Sequence, residues 1–150
     1  MQSWQQGIII LSGFISFAVF LKGYYEIVRK KNAFGLANYL SFLGIFVWGD
    51  SIILGPFWTL VCMITLLLND WYLFLLSISL FWSVRSWGEV TYWLNEQFAD
   101  KHRNPPQTLK FSKLFQSDAI WFVYQLFWQV ILVVSLITSL YLANVWLQAK

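Results

Sequence analysis

Cysteine, histidine and charge are all scarce in this chain. Cys62 is the only cysteine among 150 residues and sits in the apolar run Val61-Cys62-Met63-Ile64. A single thiol excludes an intrachain disulfide, a CxxC redox pair and a multi-thiolate metal site, leaving packing as its expected role. His102 is the only histidine, which excludes bis-histidine haem ligation within one chain and argues against zinc. Charged residues make up only 11% of the chain, too few to solvate a globular surface of this size. There is no Asn-x-Ser/Thr sequon, lipidation motif, nucleophile–base pair or metal-ligand cluster. These absences lead us to expect a protein that is not an enzyme and binds neither cofactor nor metal.

What fills the chain is apolar: 59% of it is hydrophobic and 21% aromatic, with ten tryptophans. Long apolar stretches are separated by short polar punctuation. A hydrocarbon core takes about 20 helical residues to cross, and only helices or closed barrels satisfy their backbone inside it. The expected fold is therefore all-α, a polytopic transmembrane helical bundle of five helical segments, forming one integral membrane domain over residues 1–150. A prokaryotic inner membrane, or its organellar equivalent, is the expected location. The net charge of +3 does not point to nucleic acid, because the basic residues flank apolar segments, where Lys and Arg anchor helix ends. No positive side chain precedes the first apolar run, whereas Arg29-Lys30-Lys31 follow it, the reverse of a secretory signal; we expect a retained helix there.

The five expected segments cover residues 7–28, 33–49, 50–68, 71 through 93 or as far as 98, and 119–147. Asn32, Asp50, Asp70 and Asp118 each stand just before an apolar run, where a short acceptor side chain caps the first backbone N–H groups. Gly49-Asp50 and Asn69-Asp70 are the expected tight turns. Residues 96–117 are expected to be the one substantial loop, polar and outside the membrane, broken by Asn104-Pro105-Pro106. No internal repeat stands out.

Four or five crossings both fit. With five, Lys22, Arg29, Lys30, Lys31 and Lys150 fall on one side, and Arg85, Lys101, Arg103, Lys110 and Lys113 on the other. With four, a single long crossing from residue 57 to 84 gathers both basic clusters on one side but buries Asn69-Asp70 at mid-membrane, where an Asp costs about 2.5–3.5 kcal/mol. Small residues form two ridges, Ala33/Ala37/Ser41 and Ser135/Ser139/Ala143, which allow close helix approach. In the five-crossing arrangement the ridges meet near one membrane face.

The most distinctive passage runs from Trp82 to Trp93. Arg85, Glu89, Tyr92 and Glu96 recur at helical spacing on one face, and Gln125 and Gln129 form a similar stripe on the last segment. Arg85, Glu89, Tyr92, Gln125 and Gln129 are therefore the candidate polar pocket, with an Arg85–Glu89 pair inside it. In size and tryptophan content the chain is similar to the tryptophan-rich sensory protein/translocator family. The proline-rich loop expected after that family's first helix is absent, Arg29-Lys30-Lys31-Asn32-Ala33-Phe34 standing there instead, so the chain is not counted as a member and no residue role is carried over. The expected function is that of a small accessory or assembly subunit that packs with membrane lipids, a protein partner or another copy of itself. The alternative is a small channel or transporter using the polar zone.

Overall fold

The computed structural model describes residues 1–115 and 117–148; Lys150 lies outside them. The chain is all-helical, 77% helix, with no strand among the described residues. Four long helices, α1 (Ser3–Val28), α2 (Trp48–Leu67), α3 (Trp71–Phe98) and α4 (Ala119–Gln148), are joined by loops that hold short 3-10 segments at Asn38–Leu43 and Pro106–Thr108. α1, α2 and α4 are long and apolar enough to cross a membrane; α3 has the length but is more polar. The fold divides into two compact units, the division in sequence falling within α3 between Ser77 and Ile78.

In the first unit, α1 and α2 pack antiparallel along a stripe that recurs every three or four residues. Ile9, Ser16, Val19, Gly23 and Glu26 are buried on α1; Trp48, Ser51, Gly55, Trp58, Cys62 and Thr65 are buried on α2. Small side chains let the backbones approach. A Cβ added at Gly55 would lie 2.7 Å from Phe20 Cβ, and one at Gly23 would collide with the Ser51 hydroxyl. At the open end of this hairpin, Gln6 Nε2 donates to Asn69 Oδ1 at 3.2 Å, and the Trp4 and Trp71 rings meet edge to face at 5.4 Å.

The five expected helical segments emerge as four long α-helices and one six-residue 3-10 segment. The expected second segment is helical only over Asn38–Leu43, about 12 Å at the 3-10 rise, which cannot cross a bilayer. Residues 32–47 instead fold back on the ends of α1 and α2, with Ala37, Leu40, Ile45 and Trp48 buried against Val19. The ridge expected from Ala33, Ala37 and Ser41 therefore does not form: Ala37 is buried and Ser41 is exposed. Residues 96–117 are likewise not the one substantial loop.

The caps differ in detail from expectation. Asn32 caps no helix; its backbone N–H reaches back to the Glu26 carbonyl at 3.1 Å, closing the end of α1. α2 begins two residues before Asp50, whose carboxylate reaches back to the Phe46 and Val47 N–H groups at 2.9 and 3.3 Å. At the start of α4 the Ser117 hydroxyl, not Asp118, receives a backbone N–H, that of Ala119 at 3.4 Å. The turn between α2 and α3 is closed from both sides. Asn69, at φ 51°, and Asp70 send their N–H groups back to Leu66 and Thr65, both at 3.0 Å. Asp70 Oδ1 then accepts the Leu73 N–H at 2.9 Å as the cap of α3.

In the second unit, α3 and α4 also run antiparallel. Ser83 Oγ donates to Ser135 Oγ at 3.1 Å, and the Trp82 and Trp128 rings stack at 6.5 Å. Trp93 meets Tyr124 at 4.6 Å. The ridge of Ser135 and Ser139 is buried, with Ala143 half-buried. Each unit buries residues of similar type seventy positions apart in sequence: Ser16 and Ser86, Glu26 and Glu96, Trp58 and Trp128, and Thr65 and Ser135.

Candidate functional site

Among the described residues, each unit buries one carboxylate, two residues before the end of its first helix. That is the negative pole of the helix dipole, where an anion is disfavoured, and burial adds a desolvation cost. Such groups persist only where close partners offset both.

Glu26 is 5% exposed. Its Oε1 lies 3.3 Å from Lys22 Nζ and 2.9 Å from Lys30 Nζ, one turn before and one turn after. The Lys22 ammonium also sits over the Trp48 ring, and that of Lys30 over Tyr25. The bond to Glu26, reinforced by its charge, raises the Lys30 pKa above its ordinary value.

Glu96 is 4% exposed and is held by the loop that follows it. Its Oε1 accepts the backbone N–H groups of Arg103 at 2.6 Å and Asn104 at 3.5 Å. His102 Nδ1 lies 3.8 Å from the same oxygen and 3.0 Å from the Glu96 carbonyl. Around this clasp the Asn104 amide donates to the Tyr92 hydroxyl, and Trp121 Nε1 donates to the Asn104 carbonyl at 2.9 Å. The imidazole of His102 lies on Trp121, ring centres 4.2 Å apart. Glu96, His102 and Asn104 were not among the expected site residues. The available signal was the only histidine in the chain, six residues after a glutamate at a helix end.

The expected polar pocket is distributed as follows. Arg85 Nη2 lies 3.3 Å from Glu89 Oε1, with the two side chains 27% and 17% exposed. Tyr92 is engaged by Asn104, and Gln125 accepts from Gln97 Nε2 at 2.6 Å. Gln129 is half-buried, one turn further along α4. On the same α3 face as Ser83, Ser86 Oγ and Trp93 Nε1 are buried with no hydrogen-bond partner among the described residues. No group of three or more His, Cys, Asp or Glu able to hold a metal ion occurs among the described residues.

The first unit also carries an open apolar groove of about 340 Å³ between α1 and α2, lined by Ile9, Gly13, Phe14, Phe17, Cys62 and Met63. It contains no charged side chain. No family model, curated protein or solved structure matches this chain.

Proposed function

We propose that the protein is a four-crossing integral membrane protein that works by binding lipids, a protein partner or another copy of itself, as an accessory or assembly subunit. Four crossings by α1 to α4 require no polar turn at mid-membrane. α3 is 28 residues long, about 42 Å at the helical rise, and carries Arg85 and Glu89 across as a pair rather than as isolated charges. Counting crossings, the basic loops at residues 29–47 and 99–118 then share one side, and the turn at Asn69-Asp70 lies on the other. That distribution follows the positive-inside tendency better than the five-crossing topology and as well as the four-crossing one read from the sequence, without burying Asn69-Asp70 at mid-membrane.

The observation that carries the binding reading is a contrast. In the candidate pocket Arg85 pairs with Glu89, Tyr92 is bonded by Asn104 of the loop and Gln125 by Gln97 of α3, whereas the apolar faces of the helices are left uncovered. On α4 Phe127, Val130, Val134, Ile137, Leu140 and Tyr141 are all exposed within the chain. A transport route requires polar groups that face a path; a binding subunit requires an apolar face that meets something.

The test is purification in mild detergent followed by native mass spectrometry, with solute and ion flux measured in proteoliposomes. The reading expects lipid, a partner or a second copy retained in defined ratio, and no flux above empty vesicles. Flux that Arg85→Leu abolishes would replace it with the transport alternative.

A further inference from the structure

We infer that residues 33–47 form an interfacial anchor that seats this end of the protein on an anionic bilayer surface. The inference rests on the membrane reading above and goes beyond it by assigning a lipid-contacting element and the headgroup charge it takes.

The geometry of the 3-10 segment is the starting point. With three residues per turn, positions three apart share a face, so Asn38–Leu43 has three faces. Leu40 and Leu43 turn into the protein, where Leu40 is buried and Leu43 packs on the core. Asn38 and Ser41 form a small polar face, exposed. Tyr39 and Phe42 form the third, 66% and 60% exposed, and Phe34 and Leu36 nearby are 90% and 73% exposed. Four large apolar side chains within nine residues, set on a compact loop, have no reason to face water.

The loop is also built for a region poor in water. Its backbone closes on itself: Ala37 N–H donates to the Phe46 carbonyl at 2.8 Å, Trp48 to Gly35 at 3.1 Å and Gly49 to Ala33 at 2.8 Å. Gly44, at φ 74°, turns the chain back while its N–H bonds the Ser41 carbonyl at 2.9 Å. Irregular backbone that leaves few groups unsatisfied can lie at the headgroup boundary.

Charge selects the surface. Lys22 and Lys30 neutralise Glu26, whereas Arg29 and Lys31 are exposed and enter no ion pair among the described residues. Two exposed cations immediately preceding, in sequence, a segment with an aromatic face match the chemistry of an anionic lipid headgroup above acyl chains.

Nitroxide labels test this on the whole chain in a Cys62→Ala background, reconstituted in phosphatidylcholine vesicles with and without phosphatidylglycerol. Labels at Tyr39→Cys and Phe42→Cys should lie about 5–10 Å below the phosphates, the depth of interfacial elements. Labels at Asn38→Cys and Ser41→Cys should remain aqueous. A label at Leu140→Cys on α4 reports insertion independently. Aqueous labels at positions 39 and 42 with a deep label at 140 would overturn the anchor and leave the membrane reading standing; an aqueous label at 140 would overturn both. Labels at 39 and 42 shielded from both oxygen and a water-soluble nickel probe would mean a protein partner and also overturn the anchor. The depth at position 42 should become shallower when phosphatidylglycerol is omitted, and equally when Arg29→Gln and Lys31→Gln are combined. A depth unchanged in both would remove the preference for anionic lipid.

Discussion

Arg103 donates its backbone N–H to Glu96 Oε1 at 2.6 Å, tying the first turn of the loop to a carboxylate seven residues earlier. The contact sets the path of residues 99–104 over the end of α3. Replacing Glu96 by Ala orphans the N–H groups of Arg103 and Asn104, each worth about 1–3 kcal/mol when buried. Glu96→Ala should lower the melting temperature in detergent, Glu96→Gln should do so less, and trypsin should cut after Lys101 and Arg103 faster in the Ala variant. Unchanged cleavage rates would show that the loop is held by other contacts.

The Arg85–Glu89 pair should show strong coupling. Both side chains are largely buried, so removing one leaves the other uncompensated, while apolar residues at both positions restore balance. Arg85→Leu and Glu89→Leu should each destabilise by about 1–3 kcal/mol, and the double variant by less than their sum. Strict additivity in thermal unfolding would exclude an energetic pair.

The turn between α2 and α3 gives a backbone prediction and a topological one. Asn69 holds φ 51°, a conformation that glycine adopts freely and β-branched residues resist. Asn69→Gly should be close to neutral and Asn69→Val should cost about 1–2 kcal/mol. Asp70→Ala should cost about 1 kcal/mol through loss of the α3 cap. In the Cys62→Ala background, an impermeant maleimide should label Asp70→Cys and Lys101→Cys from opposite sides of sealed vesicles. Labelling of both from one side would overturn the four-crossing topology.

Glycine and serine positions separate packing from helix propensity. A Cβ at Gly55 would meet Phe20 and the Ser16 carbonyl at 2.7–3.0 Å, while one at Gly88 would meet nothing within 4 Å. Gly55→Ala should therefore destabilise by about 1–3 kcal/mol, and Gly88→Ala should stabilise by up to about 1 kcal/mol. Ser86→Ala, which removes a buried hydroxyl without a partner, should also stabilise, by about 1 kcal/mol. Denaturation midpoints in one detergent check all three.

Hydrophobic length identified α1, α2 and α4 because their apolar runs are uninterrupted, and the Arg85–Glu89 spacing indicated its own pair. The same criterion misassigned residues 33–49. That stretch is apolar because one side fills the core beside Val19 and the other lies exposed, and composition does not distinguish this from a helix buried all round. The signal was present but weak: Gly35, Asn38 and Gly44 interrupt the run, and the apolar positions recur every three residues rather than every three or four. Asp50 misled for a related reason, since an acid that reaches back from the third helical position resembles a cap in sequence. The Glu96 clasp joins a helix to a polar loop through backbone N–H groups, which carry no sequence signature.

Both buried carboxylates sit where their own helix repels them, and this has a consequence for how the chain folds. The last turns of α1 and α3 are stable only once their counterparts are in place: Lys22 and Lys30 for Glu26, and the folded loop for Glu96. For α3, helix end and loop therefore form as one cooperative event rather than in sequence. The loop at residues 99–104 cannot be exchanged for a flexible linker of equal length, because the linker would leave the helix to fray from its charged end.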